Sequence, residues 1–181
     1  PEYARILRET LDYVLREMTS PEGGFYAAQD ADTEGEEGKY FAWTPTEVEA
    51  VLGKEEGVRF CRVYGVTAAG NFEHGKSALW LPEPAPDRMA AARASLFQAR
   101  GKRAMPGLDD KILVDWNGLM ICAMAEAGAA LGEPRYLDAA LKAADHCLTR
   151  LKKDGRLLHT ASLPGYLDDH AFLAQGCLSL F

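Results

Sequence analysis

No two of the four cysteines, Cys61, Cys122, Cys147 and Cys177, are close enough in the chain to make a C-x-x-C pair. That spacing excludes a zinc knuckle and a dithiol redox motif. Three of them fall among apolar residues in helix-forming stretches, as small buried hydrophobes of a reducing compartment do. Basic residues are also few: 20 Lys and Arg stand against 27 Asp and Glu, for a net charge of −7. Binding a phosphate backbone needs clustered cations, so nucleic acid is not an expected partner. No apolar run is long and pure enough for a transmembrane helix and no signal peptide is recognisable, so a cytoplasmic protein with no membrane partner is expected. There is no Walker loop, no dinucleotide glycine fingerprint and no G-x-S-x-G elbow, and no cofactor is expected. The chain opens on proline and closes inside a helix-forming run, which leads us to expect a piece of a longer protein.

What the chain does have is a stretch to build around, PGLDDKILVDWNGLMICAMAEAGAAL, residues 106–131. It opens on Asp109, Asp110 and Lys111 and continues through Asp115, Trp116 and Asn117. From Leu119 onward its apolar residues go all round, the pattern of an inner helix covered on every side. In the next helix Leu137, Ala140, Leu141, Ala144, Leu148 and Leu151 share one face, the pattern of an outer helix. Pro134 suits its first turn. An inner helix followed by an outer one is an αα-hairpin. The last run, AFLAQGCLSLF, reads as a second inner helix.

Earlier in the chain, residues 2–18 predict an amphipathic helix. Phe25-Tyr26 reads as a short strand with Lys39 to Trp43 as its antiparallel partner, joined by the acidic loop QDADTEGEEG. Thr44-Pro45-Thr46-Glu47 is a capping box opening a helix to about residue 52. A second short helix is predicted at about 55–64, loop with a possible strand at 78–81, and a basic, Ala-rich helix at 87–104. Outer helix, short strand, acidic turn and inner helix recur in order, which suggests a solenoid or closed helical ring whose loops share a cavity. The expected fold is mainly α, a partial toroid of helical hairpins with short β-hairpins at one rim. All of 1–181 would form the first part of one such barrel domain.

The acidic turns carry the candidate chemistry. Asp30 and Asp32, Asp109 and Asp110, and Asp168 and Asp169 form three carboxylate pairs. Sugar processing uses two carboxyl groups, one as acid and one as base or nucleophile, and pairing raises the pKa of one partner. Asp109, Asp110, Asp168 and Asp169 are the acid–base candidates. Trp43 and Trp116 could stack on a pyranose face. Asn117 and His170 could bind hydroxyls, and Asp30, Asp32 and Lys111 complete the ligand-binding set. Aspartates before helices are also ordinary N-caps, and Lys111 could merely neutralise its neighbours. His74 and His159 read as structural or solvated. Asp168, Asp169 and His170 in a row cannot all aim at one ion from a helix start, so no metal is expected. Asp110→Asn and Asp169→Asn are expected to keep the fold and weaken ligand binding.

Three segments, FYAAQDADTEGEEGKYFAWT, LDDKILVDWNGLMI and GYLDDHAFL, resemble the thioredoxin-domain-containing family that includes a spermatogenesis-associated protein of animals. They occur in the expected order and cover most of the chain. The resemblance implies a thioredoxin-like domain before Pro1 and an (α/α) barrel, similar to sugar 2-epimerases and six-hairpin glycosidases, that continues past Phe181. It implies no proven residue role. Two functions follow as expectations: a carbohydrate-processing site of epimerase or hydrolase type acting on a sugar-like molecule, or a non-catalytic module that binds a ligand or client for the thioredoxin-like domain. A fragment ending in an inner helix would also leave an apolar edge open, so self-association through the C-terminal segment is expected.

Overall fold

The computed structural model describes residues 2–83 and 89–181. Its helices are α1 (Glu2–Glu17), α2 (Pro45–Leu52), α3 (Lys54–Val63), α4 (Ala90–Arg100), α5 (Val114–Leu131), α6 (Pro134–Arg150) and α7 (Leu167–Leu178). Six two-residue strands make three antiparallel pairs: β1 (Ala28–Gln29) with β4 (Leu108–Asp109), β2 (Asp32–Thr33) with β3 (Glu36–Glu37), and β5 (Lys152–Lys153) with β6 (Arg156–Leu157). The protein is therefore mainly α with short antiparallel hairpins, and no closed barrel forms among the described residues. No helix among them is long and apolar enough to cross a membrane. The chain divides into two compact units, one of Pro1–Gln29 with Leu108–Phe181 and one of Asp30–Gly107, each with its own core.

In the first unit α5 packs between α6 and α7, with α1 alongside. Ile121, Met124 and Ala125 of α5 are buried against Tyr136, Ala140, Ala143 and Cys147 of α6, with Leu11, Val14 and Leu173 completing the core. The expectation that α5 is covered on every side is corrected here. Trp116, Leu119, Ala123, Glu126 and Ala130, spaced three and four apart, form an exposed stripe. Three neighbouring helices leave one side uncovered. Close approach of α5 and α7 depends on glycine. A Cβ on Gly118 would run into the backbone of Phe172 and Leu173, and one on Gly176 would meet the Gly118 carbonyl oxygen at 2.5 Å. At the C-terminal edge Leu173 is buried and Leu180 packs partly on the core, while Leu178 and Phe181 are exposed.

Two buried protons make this unit sensitive to alkali. Burial, helped by the hydrogen bond to Asp12, pushes the Tyr136 hydroxyl up to about 12. Burial also pushes the Cys147 thiol up to about 12. The unfolded chain loses these protons at about pH 9–10, where the folded chain still holds them. Stability is therefore intact below about pH 9 and falls as pH rises toward about 12. Urea midpoints across this window should decline, and Tyr136→Phe should flatten the decline. An unaltered slope in the variant would remove Tyr136 from the account.

In the second unit α2 opens as its sequence predicts. The Glu47 N–H donates to Thr44 Oγ1 at 3.2 Å, and the Thr44 N–H donates to Glu47 Oε2 at 2.7 Å. Phe60, Val48 and Leu96 are buried in its core. The expected pairing of Phe25-Tyr26 with Lys39–Trp43 does not form. The Phe25 N–H and carbonyl are both taken by the Asn117 side chain, at 2.7 and 2.9 Å. The carbonyls of Lys39, Tyr40 and Ala42 accept from Arg103 Nη1 at 3.2, 2.9 and 2.8 Å instead of from a strand. Within the acidic loop, Glu34 and Gly35 at φ 55° and 78° make a tight two-residue turn that closes β2 on β3. The possible strand at 78–81 is also absent, because the Asn71 side chain occupies both the N–H and the carbonyl of Ala78. The basic helix spans Ala90–Arg100, and residues 87 and 88 of its expected start lie outside the described residues.

Candidate functional site

After α6 the chain turns back at once. Asp154 and Gly155, at φ 51° and 78°, form the tight turn between β5 and β6. The Leu158 N–H donates to the Leu151 carbonyl at 2.9 Å, and the His159 N–H donates to the Leu163 carbonyl at 2.8 Å. The His159 carbonyl then accepts from the Val114 N–H at 3.0 Å. These bonds fasten the 158–165 loop to the start of α5 and bring the His159 ring beside the first turn of α7.

There it meets Asp169, which is wholly buried. Asp169 Oδ2 accepts the Tyr166 N–H at 2.7 Å, so this residue does cap α7. Asp169 Oδ1 accepts the Asp115 N–H at 3.0 Å and lies 2.9 Å from His159 Nδ1. A carboxylate oxygen accepts, so Nδ1 is the donor in this contact, and in the neutral ring Nε2 keeps its lone pair. Nε2 makes no hydrogen bond among the described residues. The Tyr166 ring braces the imidazole edge-on at 5.2 Å between centroids. Asp115 Oδ1, which accepts the Trp116 N–H at 2.8 Å, is 3.9 Å from His159 Nδ1. The side chains of His159 and Asp115 are 19% and 17% exposed, against 0% for Asp169.

A buried carboxylate that orients a half-buried imidazole is the arrangement of general acid–base catalysis. The carboxylate fixes the tautomer and stabilises the imidazolium formed when the ring takes a proton. Asp115, His159 and Asp169 each offer one ligand atom, all within 4.8 Å of one another, as a divalent ion would need. However, Asp169 Oδ1 already receives two hydrogen bonds, which the ion would have to displace. Proton transfer fits these contacts as they stand.

The other expected residues are placed differently. Asp168 is exposed beside Asp169, and exposed His170 turns Nδ1 to the Tyr166 carbonyl at 2.8 Å. Asp109 is held by Lys111 Nζ at 2.6 Å, and that hydrogen bond keeps its carboxyl below the usual range. Asp110 is exposed, and Trp116 is 52% exposed next to Asp115. Asn117 is buried, and its amide is spent on the backbone of Phe25 and Leu113, so it has no group left for a ligand hydroxyl. Trp43 is buried in the core of the second unit with the Arg103 guanidinium 4.0 Å over its ring, so it offers no stacking face. Asp30 and Asp32 belong to the second unit and are exposed, with Asp30 Oδ1 accepting the Asp32 N–H at 3.1 Å. Sequence reasoning missed His159 and Asp115. Asp115 was visible in the VDWNG stretch but is single rather than doubled. His159 gives no local signal, since its loop must fold back before the contact exists.

No protein-family model matches the chain. It is 32% identical to spermatogenesis-associated protein 20 of Homo sapiens over 232 residues, which takes in 99% of the chain and 30% of the human protein. It is also 32% identical to the Mus musculus protein of that name over 234 residues, 99% of the chain and 29% of the relative. An uncharacterized protein of Caenorhabditis elegans is 28% identical over 92% of the chain and 30% of its own length. The chain thus spans about a third of the length of the curated relatives it matches.

Proposed function

The chain is homologous to part of spermatogenesis-associated protein 20, which supports a family of that kind, and from this premise we propose that its first unit carries an acid–base site acting on a sugar. On this reading it is one part of an (α/α) toroid in a cytoplasmic protein that also has a thioredoxin-like domain. The observation that carries the reading is the 2.9 Å contact of His159 Nδ1 with the wholly buried Asp169.

The chemistry is of epimerase rather than glycosidase type. A glycosidase needs two available carboxyl groups. Here Asp169 is committed to three donors and Asp109 to Lys111, and the remaining candidates, Asp110 and Asp168, lie exposed at the surface rather than in a water-excluding site. A histidine suits removal of a proton from the carbon next to a carbonyl. The C–H bond breaks, the proton passes to Nε2, and the electron pair enters the enolate. Return of the proton reforms the C–H bond. Asp169 faces the resulting imidazolium, and exposed Trp116 offers an aromatic face to the sugar ring. Self-association through Leu178 and Phe181 belongs to the same proposal.

The test is a panel of aldoses and ketoses incubated with the full-length protein in deuterium oxide, read by proton NMR. Deuterium should enter at the carbon next to the carbonyl of at least one sugar. His159→Asn should slow that exchange by about 10²–10⁴-fold, the usual range for loss of a general base. Exchange at an undiminished rate in the variant would remove His159 from the chemistry. No exchange with any sugar would favour the ligand- or client-binding module.

A further inference from the structure

A groove of about 730 Å³ runs along the β5–β6 hairpin and includes His170. That is within the size range of small-molecule sites. The register of the hairpin pairs Lys153 directly with Arg156 across a tight turn. Like charges opposed on a sheet destabilise it. Neither cation has an ion-pair partner among the described residues, in a chain whose net charge is −7. The turn holds the two in register, and both line the groove with Asp154 and Leu157. Gly165 lets the backbone close beneath them. A Cβ there would meet the Leu157 carbonyl oxygen at 2.8 Å and His170 Cε1 at 3.4 Å. Because His170 donates Nδ1–H to the Tyr166 carbonyl, its Nε2 is free for a further partner.

We infer that this groove binds the phosphate of a phosphorylated sugar, with Lys153 and Arg156 as the phosphate ligands. The phosphate is argued from the groove alone, and the sugar rests on the reading above. A dianion between the two cations would turn their repulsion into paired charge-assisted hydrogen bonds. Arg156 can grip two oxygens at once, and Lys153 acts as a point charge.

Isothermal titration of the full-length protein with glucose 6-phosphate, inorganic phosphate and glucose, at constant ionic strength, tests this. The sugar ester should bind, and tighter than either of the other two. Lys153→Gln and Arg156→Gln should each weaken it by roughly ten-fold or more, the loss expected for one charge-assisted contact. Lys152→Gln removes the same charge from the position opposite Leu157, outside the groove, and should leave the affinity nearly unchanged. An equal loss in Lys152→Gln would show bulk attraction and overturn the site. Inorganic phosphate binding as tightly as the ester, or no ester binding at millimolar concentration, would overturn the assignment. If the ester binds as described but no sugar exchanges deuterium, the acid–base reading falls and the phosphate groove stands. If sugars exchange but the ester does not bind, the groove falls and the acid–base reading stands.

Discussion

Asp169→Ala is expected to destabilise the first unit by about 2–5 kcal/mol, because it removes a wholly buried acceptor shared by three donors. Its carboxylate is the common acceptor for the Asp115 N–H, the Tyr166 N–H and the His159 ring. Truncation would leave two part-buried backbone donors without this acceptor, at up to about 1–3 kcal/mol each. Asp169→Asn would recover only part of this, because the new amide presents N–H groups where donors already point. We expect a loss above about 2 kcal/mol in the asparagine variant as well. The sequence alone led to the opposite expectation, that Asp169→Asn leaves the fold largely intact. The reason for the difference is burial, which turns an exposed-looking cap into the hub of a network. Asp110→Asn is the contrast: Asp110 is exposed, and a change within about 0.5 kcal/mol is expected. Urea denaturation of the three variants measures the difference. An Asp169→Ala protein as stable as the parent would mean the three hydrogen bonds hold nothing together.

Gly118→Ala should be comparably harmful, although in an isolated helix the same change would help by about 1 kcal/mol. The sign reverses because the added Cβ would sit against the Phe172 and Leu173 backbone, which cannot rotate away as a side chain could. Either α7 moves off α5 or the clash remains, and overpacking of this kind costs about 1–3 kcal/mol, occasionally more. Displacing α7 would also move Asp169 away from His159. We therefore expect Gly118→Ala to lower both the urea midpoint and the sugar exchange rate. Gly176→Ala should be harmful for the same reason, since its added Cβ would meet the Gly118 carbonyl oxygen, also backbone, at 2.5 Å. A stabilised Gly118→Ala protein would show that the helices are not held at this distance.

These two residues also show what the sequence made legible. The helices were largely readable, because periodicity and caps are local. The amphipathic stripe of α6 and the Thr44–Glu47 box each lie within one element. The strand partners were not, because β1 pairs with β4 across about eighty residues and Phe25 is claimed by Asn117, 92 residues away. Gly118 carries no local signal in the sequence, and only the crossing of α7 gives it a purpose. Asp169 drew attention in the sequence through its neighbour Asp168. Its working partners are His159, ten residues back in a loop, and Asp115, 54 residues back on another helix. Doubling of acids was visible in the chain, whereas the hydrogen bonds of Asp169 run to Asp115, Tyr166 and His159. Convergence of one acid and one imidazole was invisible until the loop folded.

The most direct measurement is nitrogen NMR of the histidine rings in full-length protein labelled with ¹⁵N-histidine, at a pH where the His159 ring is neutral. If Asp169 orients the ring as the structure has it, His159 will carry its proton on Nδ1 and show an unprotonated Nε2. In Asp169→Asn, if it folds, or otherwise in the folded fraction of the alanine variant, that preference should weaken. A parent protein in which His159 carries its proton on Nε2 would contradict the account, since Nδ1 would then have nothing to donate to the buried carboxylate and the base would face the wrong way.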